Sequence, residues 1–114
     1  MNYYKKNFST ILFNPGEKLT INEIEGGWRC FDEILKEFPV SLAVDLSELS
    51  SIDSAGIGFL VKIYKKTSQY NIELIFIDMS ESLKRLFSIT GLLPFFCIST
   101  RSEFESGIKE TCSC

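Results

Sequence analysis

Two apolar runs, each followed by a segment of helical periodicity, constrain the fold of this chain more than any other feature. They are Val40–Leu46 (VSLAVDL) and Ile72–Met79 (IELIFIDM), and both are nearly continuous in apolar residues. Strands that are buried on both faces of a sheet have this composition. After each run, apolar residues recur every three or four positions, as on one face of a helix. The alternation predicts an α/β fold with a largely parallel or mixed sheet.

The flanking segments add further elements to this prediction. Ser9–Phe13 is typical of a short strand, and Asn14–Gly16 is a turn signal that leads to Lys18–Ile21 as the other arm of a hairpin. Asn22 and Glu25 predict the capping box of a first helix. Downstream we expect the end of that helix at Pro39, a helix over Gly56–Tyr70, a helix from Ser80 to Gly91, a strand over Phe95–Ile98 and a helix over Arg101–Thr111.

Composition and length exclude several classes of protein. At 114 residues the chain is long enough for one hydrophobic core and too short for two, so we expect a single domain over residues 1–114. The net charge is −3 with no basic stripe, which argues against a nucleic-acid partner. The apolar runs are far shorter than the roughly 20 residues of a membrane span, and Met1–Thr10 lacks the apolar stretch of a secretory signal. We therefore expect a cytoplasmic protein that does not insert into membranes.

Histidine is absent from the chain. Its absence removes the Ser-His-Asp triad, the Cys-His pair and most zinc sites. Cys112 and Cys114 form a C-terminal pair, but two ligands without further partners do not predict a metal site. A serine hydrolase would also need a G-x-S-x-G turn, whereas residues 53–56 read D-S-A-G. We therefore expect no enzymatic activity, no metal and no cofactor.

The segment Ile52–Gly56 marks the change from a strand pattern to a helix pattern. It places Asp53 and Ser54 at the start of a helix, where unpaired N–H groups and a partial positive charge collect. Side chains at this position can cap the helix, and a phosphate on Ser54 would find the same donors. On these residues alone, capping is the simpler interpretation. Gly56 and Gly58 would let the backbone of a partner approach closely.

Two motifs carry a family resemblance. Asp45–Gly58 (DLSELSSIDSAGIG) resembles the D-L-S-x-L/V-x-x-I/M-D-S-x-G-I/L-G segment of STAS domains, which include the bacterial anti-sigma factor antagonists. Met79–Leu92 (MSESLKRLFSITGL) resembles the S-x-x-L/V-x-R-L-F-x-x-T/S-G-L pattern of the same family. The match spans roughly residues 40–98, and the N-terminal third fits loosely. The resemblance implies a STAS-type mixed sheet of four to five strands with about four helices packed mainly on one face.

The resemblance also implies a regulatory function. In antagonists of this family the serine that follows the motif aspartate is phosphorylated, and Ser54 holds that position. Such a protein binds a GHKL-type anti-sigma factor that is also a serine kinase, and a PPM-type phosphatase reverses the modification. Negative charge added beside Asp53 would then disrupt docking. The residues expected to contact the partner are Asp53, Ser54, Ala55, Gly56, Gly58, Lys62 and Lys65.

Two departures from the antagonist pattern leave a second function open. Ala55 stands where many antagonists carry Ser or Thr, and Gly16–Ile21 (GEKLTI) stands where they usually show G-E-L/I-D. The L-T-I of this segment, together with D-S-A-G, resembles a STAS branch associated with chemotaxis operons and phospholipid transport. In that branch the domain is a non-phosphorylated interaction subunit. Assembly of the chain as a homodimer also remains open. For the lysines of the second helix, the alternative to a contact with a partner is an ordinary solvated face, formed by Lys62, Lys65 and Lys66.

Overall fold

The computed structural model describes residues 1–6 and 9–106, which form two β-sheets. The strands are β1 (Asn2–Lys5), β2 (Thr10–Asn14), β3 (Lys18–Leu19), β4 (Ser41–Asp45), β5 (Ser51–Ile52), β6 (Glu73–Ile77) and β7 (Cys97–Ser99). The main sheet has five strands in the order β1-β2-β4-β6-β7, with β1 antiparallel to β2 and all other neighbours parallel. A second sheet pairs β3 with β5 in parallel. The helices are α1 (Ile24–Leu35), α2 (Ser54–Gln69), α3 (Glu81–Ile89) and α4 (Arg101–Ser106), with a 3₁₀ turn over Leu93–Phe95.

The two faces of the main sheet are covered unequally. Alternate strand residues such as Val44 and Phe76 pack with the buried faces of α1, α2 and α3 in the larger core. Their neighbours Ala43 and Ile75 face the other way into a smaller cluster, against which Phe104 of α4 packs. A mixed five-stranded sheet with most of its helices on one face confirms the predicted fold class. In the described part of the chain, no helix is long and apolar enough to cross a membrane.

The N-terminal strands pair differently from the prediction. The antiparallel partner of β2 is β1, and Lys18–Leu19 pairs with Ser51–Ile52 instead of completing a hairpin. Gly16 explains the change of direction, because its φ of +89° and the bond from its N–H to Asn14 Oδ1 turn the chain away from β2. The sequence did not indicate β1 because three of its four residues are exposed. It did not indicate β5 because a two-residue strand within a polar loop has no periodicity.

The start of α1 also differs from the prediction. Asn22 lies before the helix, and the reciprocal bonds expected of Asn22 and Glu25 are made by Thr20 and Glu23. Glu23 Oε1 accepts from the N–H and the hydroxyl of Thr20, at 2.8 and 2.7 Å, while the N–H of Glu23 donates to the carbonyl of Thr20. The hydroxyl and N–H of Thr20 lower the pKa of Glu23. The predicted extension of the last helix to Thr111, and the pair Cys112 and Cys114, lie outside the described residues.

Candidate functional site

Asp53 is the residue around which the candidate site is organised. It follows β5 and precedes the first residue of α2, with an extended backbone at φ −117° and ψ −173°. Its Oδ2 accepts from the N–H of Ile21 at 2.9 Å, and its Oδ1 accepts from the N–H of Gly56 at 3.0 Å. These hydrogen bonds, with that of Ile21 the strongest influence, lower the pKa of Asp53. The site therefore holds an ionised carboxylate at the beginning of a helix.

Ser54 is the first residue of α2, as predicted, and its side chain is exposed. Asp53 acts as the cap, and the hydroxyl of Ser54 makes no hydrogen bond to any residue within 1–6 and 9–106. The capping interpretation thus holds for Asp53 and is wrong for Ser54. A serine hydroxyl that is neither buried nor bonded at a helix start is accessible to a modifying enzyme.

One backbone donor of the first turn is already in use. We expected a phosphate on Ser54 to find the free N–H groups of the helix start. The carboxylate of Asp53 accepts from Gly56, one of these donors, and the N–H of Ala55 also helps to lower its pKa. A phosphate on Ser54 would therefore share these groups with a neighbouring anion, and its contacts with them stay a prediction.

The outward face of α2 continues from Ser54. Residues three or four positions apart lie on one side of a helix, which aligns Ser54, Gly58, Lys62 and Lys65. Open space surrounds Gly58, since a side-chain carbon built there meets nothing within 4 Å. Both lysines are exposed. Lys66 lies to the side of this row, with its ammonium 5.7 Å from the centre of the Trp28 ring.

Two other predicted contact residues lie partly or wholly beneath this face. Gly56 is buried, and a side-chain carbon there would lie 1.9 Å from the carbonyl oxygen of Leu19 and 2.8 Å from Cγ1 of Ile52. Its small size is required by packing inside the protein, so the expectation that Gly56 admits a partner is wrong. Ala55 is half-buried beside it. The exposed residues of the predicted set are therefore at Ser54, Lys62 and Lys65, with Asp53 and Gly58 half-buried among them.

Three neighbouring hydroxyls differ from that of Ser54 in their surroundings. The hydroxyl of Ser50 donates to the carbonyl of Glu17 at 3.2 Å, and the N–H groups of Ser50 and Ser51 donate to the same oxygen. Ser51 belongs to β5, where it pairs with Lys18. Ser47 is exposed, and its N–H donates to Asp45 Oδ1 at 3.0 Å. The two serines nearest to Ser54 are thus tied by their backbone to the segment of Glu17 and Lys18.

A turn that the sequence did not single out completes the site. Thr20–Glu23 is closed by the reciprocal bonds of Thr20 and Glu23, and its tip carries Ile21. The side chain of Ile21 is 67% exposed, while its N–H is bonded to Asp53. In the sequence, Ile21 lies between polar residues at the end of a predicted strand, so its role at the site was only weakly indicated. Its exposed position depends on a contact with Asp53, which is far away in the chain.

The comparisons with known proteins agree with this geometry. A family model described as the STAS domain matches residues 5–107. The chain belongs to the STAS domain family.

Three relatives of the STAS protein show how far the likeness extends. An anti-sigma-B factor antagonist of Listeria monocytogenes is 43% identical over 53 residues, which are 46% of each chain, so the STAS protein spans about half the length of that relative. The structure of a proposed anti-sigma factor antagonist from Thermotoga maritima has a TM-score of 0.80 and 26% identity, and covers 93% of this chain and 92% of that chain. The phosphorylated form of the Bacillus cell fate determinant SpoIIAA has a TM-score of 0.74, with 93% and 96% coverage, and at 17% identity it supports the fold alone.

Asp45, the first residue of the STAS motif, is a buried carboxylate that links α4 to the loop before the site. It ends β4 and is 1% exposed, and its carboxylate accepts from the guanidinium of Arg101 and from the N–H of Ser47. Partial burial acts to lower the pKa of Arg101, but the charge of Asp45 and the hydroxyl of Tyr4 together raise it above its ordinary value. This ion pair ties α4 to the loop that leads to Asp53. Within the described residues, no group of three or more acidic or cysteine side chains could hold a metal ion.

Proposed function

We propose that this STAS protein is an anti-sigma factor antagonist and that phosphorylation of Ser54 switches it off. The observation that carries the proposal is the difference between two adjacent residues at the start of α2. Asp53 caps the helix, whereas the hydroxyl of Ser54 is exposed and makes no hydrogen bond to a described residue. The name of the Listeria relative, an anti-sigma-B factor antagonist, supports the same function.

The modification itself is a phosphoryl transfer from ATP. The Ser54 oxygen forms a bond to the γ-phosphorus and loses its proton, while the bond to the β-phosphate oxygen breaks and ADP leaves. Because the hydroxyl is exposed, it can enter a kinase site without first losing a hydrogen bond inside the protein. The protein is thus the substrate of a kinase and has no catalytic role of its own.

The added phosphate acts on docking through charge. It brings about −1.5 to −2 charge at neutral pH, directly beside the ionised carboxylate of Asp53. Because Ser54 is exposed, the phosphate is added where an approaching partner meets it. Two adjacent anions repel an acidic partner surface that fits the neutral hydroxyl, and the complex dissociates.

The proposed partner is a GHKL-type anti-sigma factor that is also the serine kinase, and a PPM-type phosphatase restores the active form. The partner surface consists of Ser54 with Asp53 and Gly58 beside it and continues along α2 to Lys62 and Lys65. Exposure of both lysines and open space at Gly58 support this extent. We further propose that residues 1–114 act as one domain in the cytoplasm.

Phosphopeptide mapping tests the proposal. The purified protein is incubated with ATP and each GHKL-type kinase of the source organism, and the modified residue is located by mass spectrometry. We expect phosphate on Ser54 in the wild type and none in Ser54→Ala, whereas the matched control Ser51→Ala is modified like the wild type. Phosphate on Ser50 or Ser51, or no phosphate from a kinase that is active on another antagonist, would contradict the switch.

A non-phosphorylated interaction subunit of a phospholipid transporter or chemotaxis-type assembly is the second candidate. The observation that favours it is the exposed Ile21, whose N–H is bonded to Asp53 and which would serve a permanent interface without any modification. A stable complex that forms with a transporter or chemotaxis protein, and that is indifferent to Ser54→Asp, would support this candidate over the first.

A further inference from the structure

Ile21 combines exposure with a fixed position. Its side chain is 67% exposed, although it belongs to a turn that is closed on both sides by hydrogen bonds. The hydroxyl and N–H of Thr20 donate to Glu23 Oε1, the N–H of Glu23 donates back to the carbonyl of Thr20, and the N–H of Ile21 donates to Asp53 Oδ2. A branched aliphatic side chain is thus presented to solvent on a backbone that is already ordered.

The turn is fastened to the candidate phosphorylation site itself. One carboxylate oxygen of Asp53 holds Ile21 and the other holds Gly56, so the turn and the start of α2 share a single anchoring group. Beneath them, Leu19 of β3 is in direct contact with Gly56 and is fully buried. Ile21 and Ser54 therefore belong to one rigid surface, although they are separated by 32 intervening residues.

We propose that Ile21 is the apolar anchor of the partner surface, and that it enters an aliphatic pocket of the same anti-sigma protein that contacts unphosphorylated Ser54. This inference rests on the proposed function and adds to it the residue that supplies binding energy. Ser54 and Asp53 offer small polar contacts, and Lys62 and Lys65 are exposed charges of the kind that form the rim of an interface. Energetically important contacts lie near the centre of an interface in well-packed pockets without water, and a side chain that is already held in position loses little entropy on entering one.

The proposal makes Asp53 a positioning residue as well as a helix cap. Because the same carboxylate orients Ile21 and flanks Ser54, the partner reads the apolar anchor and the phosphorylation state side by side. Phosphorylation then weakens a complex whose main apolar contact is unchanged, which makes the switch reversible once the phosphate is removed.

The test is a binding titration of the full-length protein with the GHKL-type anti-sigma factor that binds the wild type. We expect Ile21→Ala to raise Kd about tenfold or more, and Ile21→Val, which removes one methylene group, to raise it about threefold to fourfold. The matched control is Ile89→Ala at the end of α3, because Ile89 is even more exposed, at 78%, and has no link to Asp53. This control should bind with the Kd of the wild type.

The outcomes separate the inference from the function on which it rests. A Kd for Ile21→Ala within about threefold of the wild-type value, or an equal loss in Ile89→Ala, overturns the role of Ile21 and leaves the antagonist function standing. Failure of the wild type to bind any GHKL-type kinase overturns both. Thermal unfolding of each variant accompanies the titration. A loss of affinity in an Ile21→Ala protein that unfolds with the wild-type Tm supports the anchor. If Ile21→Ala loses affinity because it is partly unfolded, Ile21→Ser replaces it in the titration. Full affinity in an Ile21→Ser protein with the wild-type Tm then overturns the anchor.

Discussion

A side-chain carbon at Gly56 would lie 1.9 Å from the carbonyl oxygen of Leu19. This contact joins the first turn of α2 to β3, and β3 is in turn paired with β5, which leads directly to Asp53. The short second sheet and the helix start thus form one unit. That unit presents Ser54 at the surface while its neighbour two residues on is buried.

Alanine at the two glycines of α2 should have opposite effects on stability. Gly56→Ala introduces a carbon that clashes with backbone, so we expect it to lower the free energy of unfolding by about 1–3 kcal/mol or more. Gly58→Ala meets nothing within 4 Å and should raise it by about 0.5–1 kcal/mol, because alanine is the better helix former. Urea unfolding of both variants measures the difference, and each serves as the control for the other. Equal stabilities would contradict the packing described for Gly56.

The elements that could be predicted from the sequence are those defined by local periodicity. The change from strand to helix pattern at Ile52–Gly56 located Ser54 correctly, because a fully buried run followed by an amphipathic one has few other solutions. The predicted start of a helix at Ser80 was also correct, since the hydroxyl of Ser80 caps α3 by accepting from the N–H of Leu83. Both features depend on residues that are close together in the sequence.

The features that were missed depend on contacts between distant segments. The pairing of β3 with β5, the packing of Gly56 on Leu19 and the bond from Ile21 to Asp53 each join residues more than 30 positions apart. No local pattern encodes such a contact. For that reason Gly56 was assigned to a partner surface, and Ile21 was not assigned to the site at all.

The carboxylate of Asp53 should make stability depend on pH in a defined direction. Hydrogen bonds from Ile21 and Gly56 lower the pKa of Asp53 in the folded protein. Its stabilising effect is therefore complete above the unfolded value of about 3.9 and is lost as the pH falls through the lower, folded value. We expect the difference in unfolding free energy between the wild type and Asp53→Asn to be constant above about pH 5 and to shrink below about pH 4.

Urea midpoints measured from pH 3 to pH 7 check this expectation about Asp53. Asp32→Asn is the control, since it removes an exposed carboxylate from the middle of α1. Curves for the wild type and Asp53→Asn that stay parallel down to pH 3 would show that the carboxylate is not selectively held in its ionised form. The prediction would then be wrong, even if Asp53→Asn lowered stability at every pH.

Charge reversal on the outward face of α2 should slow association. Lys62 and Lys65 are exposed on the same side of the helix as Ser54, so an acidic partner would be steered toward them. We expect Lys65→Glu to lower the association rate several-fold at low salt, with the difference fading as ionic strength rises. Stopped-flow mixing at two or more salt concentrations measures this effect.

The control for Lys65→Glu is Lys36→Glu, which makes the same change in net charge at the end of a different helix, α1. Lys66 is less suitable because it also contacts the ring of Trp28. If Lys36→Glu slowed association as much as Lys65→Glu, the effect would come from total charge and not from the face of α2. If Lys65→Glu associates at the wild-type rate at low salt, Lys65 is an ordinary solvated residue that does not steer the partner.

Substitutions at Ser54 should separate modification from folding. Since Asp53 provides the cap, Ser54→Ala removes no hydrogen bond to a described residue, and we expect the free energy of unfolding to change by no more than about 0.5 kcal/mol. This variant should retain its affinity for the anti-sigma factor and resist phosphorylation.

Ser54→Asp places a second carboxylate beside Asp53 and should weaken binding by about 2 kcal/mol, although a carboxylate imitates a phosphate imperfectly. Isothermal titration of the three proteins, with Ser51→Asp as a charge-matched control on the neighbouring strand, provides the measurement. Equal losses in Ser54→Asp and Ser51→Asp would mean that the partner senses general negative charge in this region, whereas a loss confined to Ser54→Asp is the result expected of a switch at this residue.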